Sequence, residues 1–526
     1  MKTENKLTEI RKKHQMSQSV LAQLLNTDQE TIKLWEKGLL VPDIEILWKY
    51  ANLFKVPLES FAPEAAQKSI QKDFGAFSYW ELYSSDLQAE FRQSLAEGLT
   101  VEPYQSLIEA VSNLPTGEFK ERLADNLFQK VLNAEISPDY PYREPSDLKT
   151  IKELRRTKET RKQAVNYETL ADKVRGAWFG RAAGCMLGKA VECIKSDELI
   201  PFLKETGNYP LHRYIYASDL TEEIIRKYRF DFSTREYVDR LDFMPSDDDM
   251  NYLVMAQQVV ETCGLDFSSY DMAKAWLKYQ TKDCYCTAEK VAYCNFIKGY
   301  YPPKSAIYKN PYREWIGAQI RGDYFGYINP GDPEKAAEMA YRDACLSHVK
   351  NGIYGEMFVA ATLAIAGTTD RIEDIILGAL AEIPATSRYY EAVMSVFQGY
   401  KEGKTFADTL KSIHKRFDEK TEYDWCHVLP NAMIVVAALL YGKGDFGKSI
   451  CLAVESAFDT DCNGATVGSI LGMALGFERI PPYWYQTFNN RLQTTIFGVE
   501  TVDFSSCIGK TLRHIDWRIK VVKIIF

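Results

Sequence analysis

Three features of this 526-residue sequence predict a mainly all-α protein. Residues 6–61 break into four short amphipathic segments with tight connections. Residues 62–137 continue in longer stretches whose apolar positions recur every three and four residues, the spacing of one helix face. Two further apolar stretches carry glycine at every fourth position: Gly176, Gly180, Gly184, Gly188 and then Gly464, Gly468, Gly472, Gly476. Each interior glycine costs a helix roughly 0.8 to 1 kcal/mol relative to alanine, so a helix that keeps four of them must gain something from the bare stripe.

The N-terminal segments come first. Leu7 and Ile10 mark one helix, "SQSVLAQLL" a second, "TDQETIKLWEKG" a third and "PDIEILWKYANLF" a fourth, a pattern that fits a helix-turn-helix. Thr27 followed by Glu30 reads as a capping box opening the third helix, and Gly38 stands where its C-terminal cap belongs. Through Ser17-Gln18, Leu21-Ala22, Ile32, Trp35-Glu36, Gly38 and Pro42 the stretch resembles the lambda-repressor-like family of helix-turn-helix domains. The resemblance implies DNA contacts by Gln18, Gln29, Thr31 and Lys33. Nine Lys or Arg stand against eight Asp or Glu in residues 1–61, so non-specific affinity for DNA is expected to be weak, and a protein-contact role is the alternative.

The next segments organise the chain. Residues 63–137 read as a helical connector broken at Pro103 and at Pro115-Thr116-Gly117, and "SPDYPYREPSD" reads as an extended arm. The expected domains are therefore 1–62, 63–137 and 138–526. A net charge of −8 argues against phosphate-backbone binding by the whole surface. The charged opening, MKTENKLTEIRKKHQ, lacks the apolar core of a secretory signal, and no apolar stretch is long enough to cross a bilayer. A cytoplasmic location without a membrane partner is the expectation. Eleven cysteines without framework spacing read as reduced thiols, and Cys284, Cys286 and Cys294 have no second pair to complete a zinc site.

The two glycine stripes answer each other. Glycines at i and i+4 share one helix face, so two bare stripes let two backbones approach closely. Asp459 and Asp461 precede the second stripe and Glu192 follows the first, so antiparallel packing would bring the three carboxylates to one end. A further acidic run, Ser246-Asp247-Asp248-Asp249, opens another helix pattern, where Ser246 or Asp247 would cap and the next acids would face the helix dipole. Three adjacent carboxylates exceed what a cap requires, and their oxygens suit magnesium or manganese.

These residues carry a second resemblance. From about residue 140 the chain resembles the ADP-ribosylglycohydrolase family, of the dinitrogenase-reductase-activating type. Five motifs carry it in order: Gly184-Cys185-Met186-Leu187-Gly188 with Ala190-Val191-Glu192; Ser246-Asp247-Asp248-Asp249; Gly317-Ala318-Gln319-Ile320-Arg321; Ser347-His348; and Asp459-Thr460-Asp461-Cys462-Asn463. The resemblance implies an all-helical domain with a binuclear metal site holding two Mg2+ or Mn2+. By that resemblance the metal set is Ser246, Asp247, Asp248, Asp459, Asp461 and Cys462, the catalytic set Glu192, Asp248 and Asp461, and the substrate set Gly317, Gln319, Arg321 and His348.

The departures set the expectations. Cys462 for threonine puts a soft sulfur beside hard ions, Cys185 for aspartate removes an outer acid, and Asp249 for threonine adds charge. Expected is a metal-dependent hydrolase cleaving the glycosidic bond of an ADP-ribosylated or nucleotide-like substrate, fused to a DNA-binding domain, with a homodimer as a possible assembly. The alternatives are a nucleotide-sensing transcription regulator with a weak or inactive hydrolase-like domain, and an N-glycosidase acting on a small nucleoside-like metabolite. Cys426-His427 reads as structural, because neighbours on a helix diverge. "RIKVVKIIF" at the C-terminus alternates as a short strand would.

Overall fold

The computed structural model describes residues 5–62, 72–157 and 162–525, with side chains to residue 518. The chain divides into two compact units, Met1–Tyr140 with Lys309–Tyr312, and Pro141–Tyr308 with Arg313–Phe526. The boundary expected after residue 62 falls at residues 63–71, outside those described.

The first unit opens with α1 (Lys6–Lys13), α2 (Gln18–Leu25), α3 (Gln29–Glu36) and α4 (Ile44–Phe54). Their apolar faces meet through Leu21, Leu25, Ile32, Trp35, Ile44 and Tyr50, all buried, and Ala22 is small enough to sit between α2 and α3. The cap of α3 differs from the sequence expectation. Asp28, not Thr27, caps it, accepting from the Thr31 backbone N–H at 2.8 Å. Both residue types cap well, and the carboxylate at 28 also accepts from the Thr31 hydroxyl. Gly38, at φ +67°, ends α3 as expected, with the Leu39 N–H returning to the Leu34 carbonyl. Beyond them lie α5 (Leu87–Ala96), α6 (Gln105–Ser112) and α7 (Glu118–Leu132), and Lys130 of α7 pairs with Glu45 of α4 at 2.6 Å.

The second unit is built on the helices Tyr167–Lys189 and Thr460–Leu475. They run antiparallel with their stripes face to face: Gly176 meets Gly472, Gly180 meets Gly468, Gly184 meets Gly464 and Gly188 meets Thr460. A Cβ added at any of these glycines would sit well inside 3.0 Å of the facing backbone. The missing side chains are thus the condition for the contact, and close backbone packing offsets their low helix propensity. Around this pair the helices Lys350–Ala366 and Val428–Gly442 are buried on nearly every side, as their unbroken apolar sequences require.

Lys173 joins the far end of the pair to its neighbours. Its ammonium donates to the carbonyls of Ala366, Met473 and Ala474 at 3.1, 3.2 and 2.6 Å, capping the C-terminal turns of two helices. Lys173→Met would leave these carbonyls without their charged donor. A loss of about 2 to 4 kcal/mol is expected in urea unfolding, and a loss below 0.5 kcal/mol would show that water replaces the ammonium freely.

The arm from Pro141 to Asp147 is irregular, as its prolines predict, and is pinned within the second unit. Glu144 binds Arg388 through both carboxylate oxygens, and Tyr142 donates to Glu391 at 2.8 Å. The expected C-terminal strand is not found. Residues Phe504–Ile525 form one helix, preceded by the two-stranded antiparallel ribbon of β1 (Arg491–Gln493) and β2 (Thr501–Asp503). Phe504, Cys507, Thr511 and His514 are buried at helical spacing, with Phe504 stacked on Phe179 and Thr511 accepting from Trp178 Nε1. The alternation read at residues 518–525 belongs to the last turns of that helix, and Phe526 lies outside the described residues. No helix among the described residues is long and apolar enough to cross a membrane.

Candidate active site and metal centre

The glycine contact delivers the C-terminal end of one helix to the N-terminal end of the other. There Thr460 donates its hydroxyl to the Gly188 carbonyl at 2.9 Å, tying the two ends together. Glu192 lies just beyond the first end, and Asp459, the N-cap residue, and Asp461 lie at the second. They crowd one another. The charge of Asp461 is the main reason that the Glu192 carboxyl lies well above the usual range, followed by burial and the charges of Asp247 and Asp248. Burial raises Asp459 and Asp461 as well, aided by Asp461 and Asp247 respectively.

The third acidic group enters on the helix Asp248–Cys263. Asp247 caps it, accepting from the Asp249 N–H at 3.0 Å, and its other oxygen accepts from Lys189 at 2.9 Å. Burial is the largest influence on Asp247 and opposes its charge, but the Lys189 ammonium together with hydrogen bonds from Lys189, Cys185 and the Asp249 N–H holds this carboxyl below the usual range. Lys189 also donates to the Ser246 carbonyl, at 3.3 Å. Asp248 is half-buried, and burial, then Asp247 and Asp461, push its carboxyl up. Asp249 is buried, with Oδ1 held by Arg181 at 2.6 Å, and Arg181 also binds Asp323 and the Ile320 carbonyl.

Cation ligands come together in two groups here. The ligand atoms of Asp248, Asp249, Asp461 and Cys462 all lie within 4.8 Å of one another, as do those of Cys185, Asp247 and Asp249. Asp461 Oδ1 and Asp249 Oδ2 are buried and have no hydrogen-bond partner. Crowded carboxylates with orphaned oxygens fit a divalent cation, which would supply the missing opposite charge. Asp459 and Glu192 border these groups through their charge coupling to Asp461.

The expected substrate residues occupy an adjoining wall. Gly317, Gln319 and Arg321 lie on the single 3-10 segment Ile316–Arg321. Gly317 faces the Glu289 carboxylate so closely that a Cβ would clash with it. Arg321 is buried in an acidic ring, donating to Glu289 and Asp343 at 2.5 Å each, with Glu356 at 3.5 Å and the Trp276 ring beneath. Its own charge is therefore already balanced by protein groups. Gln319 accepts from Tyr389 at 2.8 Å through Oε1, while its Nε2 has no partner. His348 shares a 2.8 Å bond with Ser347 through Nδ1, and its buried Nε2 likewise has none. Burial, then the charge of Arg321, keeps His348 neutral. Glu289 links this wall to the centre, since its charge contributes to the raised carboxyl of Asp248.

Glu289, Lys189 and Arg181 are the residues that sequence reasoning missed. Arg181 left a signal, as a lone charge within an apolar glycine stripe. Glu289 left none, because its helix is buried on several sides. His427 is structural, capping the helix Val428–Gly442 by accepting from the Leu429 N–H.

The residues expected to touch DNA are distributed on α2 and α3. Gln29 is exposed. Gln18 donates to Glu36 at 2.8 Å, Thr31 to Asp28 at 2.6 Å and Lys33 to Glu30 at 3.0 Å, so three of the four are engaged with acids of their own domain.

Fold and site together define a helical protein built around a candidate metal centre. A family model described as ADP-ribosylglycohydrolase matches residues 166–502, more than half of the sequence, and the chain belongs to this family. A second model, described as helix-turn-helix, matches residues 7–61. Among solved structures, one described as "ADP-ribosylglycohydrolase-related protein complex" is similar at 16% identity with a TM-score of 0.40, over 66% of this chain and 99% of its own. No curated protein matches the chain.

Proposed function

We propose that this chain is a metal-dependent glycosidase of the dinitrogenase-reductase-activating type, cleaving the bond at the anomeric carbon of an ADP-ribosylated or related nucleotide-like group. The observation that carries this reading is the crowding of Glu192, Asp459 and Asp461, at the junction of the glycine-striped helices, with Asp247 and Asp248 from a third helix, where buried oxygens of Asp461 and Asp249 lack partners. Ser246, Asp247, Asp248, Asp459, Asp461 and Cys462 would hold two divalent cations, magnesium or manganese by resemblance. Such ions supply charge neutralisation and a lowered water pKa.

The chain's own groups do the rest. Glu192 is half-buried, so water and substrate can reach it, and its raised affinity for protons suits a base that takes a proton from attacking water as positive charge develops on the sugar. Arg181 fixes Asp249, and Arg321 fixes Glu289 beside Asp248, so both positioning contacts are paid out of buried ion pairs rather than mobile surface groups. Within the substrate set, Gln319 Nε2 and His348 Nε2 are buried without a hydrogen-bond partner and would be the atoms offered to substrate. The helix-turn-helix would carry this activity to DNA in the cytoplasm.

A second reading is a nucleotide-sensing regulator without turnover. It is favoured by Lys189, whose ammonium already neutralises Asp247 inside the centre. One experiment separates the two: ADP-ribosylated arginine, serine and nucleotide substrates are offered to the full chain with and without magnesium or manganese. Metal-dependent release of ADP-ribose supports the hydrolase. Saturable ADP-ribose binding without release supports the sensor, and neither result would remove both.

DNA binding is tested on the full chain with sequences selected from a random library. Because Lys33 already pairs with Glu30, Lys33→Ala should lower the salt slope by no more than about one unit, while Gln29→Ala should relax sequence preference. Recovery of no preferred sequence would favour the protein-contact role.

A further inference from the structure

We propose that the position formed by Asp248, Asp249, Asp461 and Cys462 is a mixed oxygen–sulfur site that prefers a thiophilic dication, zinc or cobalt, over magnesium. This rests on the metal-centre reading above and refines which ion that centre takes.

The geometry comes first. All four ligand atoms lie within 4.8 Å of one another, and three of the four residues are buried. Ions of this class sit about 2.0 to 2.3 Å from their oxygen and sulfur ligands in a tetrahedron, so ligand atoms gathered on one ion stand about 3.3 to 3.5 Å apart, and the four atoms need to close by no more than about 1.5 Å. Two atoms in the group point to such an ion independently of the acidic sequence. Asp461 Oδ1 and Asp249 Oδ2 belong to residues 4% and 0% exposed, yet neither has a hydrogen-bond partner. The remaining Asp249 oxygen is taken by Arg181. Each orphan is therefore a buried acceptor oxygen with no donor facing it.

Sulfur then decides the ion. Cys462 is 5% exposed, and its sulfur lies within 4.8 Å of the ligand oxygens of Asp248, Asp249 and Asp461. Magnesium requires near-ideal octahedral oxygen coordination and gives up water reluctantly, whereas zinc and cobalt accept thiolate together with carboxylate. On binding, the sulfur–metal bond forms as the S–H bond breaks and the proton leaves to water, with no change of oxidation state. The neighbouring group, Cys185, Asp247 and Asp249, is less suited to an added cation, because Lys189 and Arg181 already occupy its carboxylates.

The test uses the full chain, stripped of metal by chelator and titrated with cobalt, zinc, manganese and magnesium. Expected is a sulfur-to-cobalt charge-transfer band in the near ultraviolet that disappears in Cys462→Thr and persists in Cys185→Ser. The zinc-to-magnesium affinity ratio should fall at least tenfold in Cys462→Thr. X-ray absorption at the zinc edge of the unmodified protein should count one sulfur, a measurement that stands even if the variant does not fold. Tight binding with an all-oxygen signature, or a sulfur band that survives Cys462→Thr, overturns this inference and leaves the metal-centre reading standing. No divalent binding by any of the four ions overturns both.

Discussion

Gly468→Leu is expected to abolish folding of the second unit. The substituted side chain would have to occupy space already filled by the Gly180 backbone, whose carbonyl stands well inside 3.0 Å of the Cβ position. Overpacking a tight core costs about 1 to 3 kcal/mol when neighbours can shift. Here the neighbour is backbone in a helix anchored along its length, so the loss should exceed that range. Gly468→Ala gives the sharper comparison. Helix propensity alone would favour alanine by roughly 0.8 to 1 kcal/mol, yet this contact should reverse the sign. Gly509, in the C-terminal helix, has nothing within 4 Å of its Cβ position, so Gly509→Ala should stabilise or remain neutral. Denaturant midpoints of the two alanine variants moving in the same direction would sink the packing explanation.

Asp461→Asn should show the opposite balance between stability and chemistry. Asp461 adds to the crowding felt by Glu192, Asp248 and Asp459, so removing its charge should raise the melting temperature of the metal-free protein. Metal affinity and hydrolysis should fall by more than the roughly 10- to 100-fold typical of losing an outer-shell partner, because Asp461 belongs to the ligand group itself. Raised manganese or magnesium should restore part of the activity. The double variant with Asp248→Asn should lose little beyond the worse single change, since the acids act through a shared cation. Full metal content and turnover in Asp461→Asn would reduce these acids to helix caps.

Legibility in the sequence followed the nature of each constraint. A backbone-to-backbone contact restricts residue type at a fixed spacing, so the pairing of Gly180 with Gly468 could be read before any fold was known. The meeting of Glu192 with Asp461 followed from that pairing and an antiparallel arrangement. Ion-pair partners leave no such trace. Lys189 reaches Asp247 across 58 positions and Arg321 reaches Glu289 across 32, choices made by tertiary packing alone. Thr27 and Asp28 are both good caps, and only the turn geometry selects Asp28. The last helix was misread because a short run of alternating apolar and charged residues fits a strand as well as the last two turns of a helix.

The stripe contact also makes the site's geometry discrete. Two smooth cylinders could slide continuously, but glycines seated against carbonyls at four-residue intervals permit only stepwise changes of register. One step moves a helix by about 6 Å along its axis. Such a slip would carry Asp461 beyond the reach of any ion held by Asp248, so the centre is either assembled or broken, with no partially spread form between. Substitutions at the helix ends can thus exchange one ligand chemistry for another while the spacing between ligands is preserved.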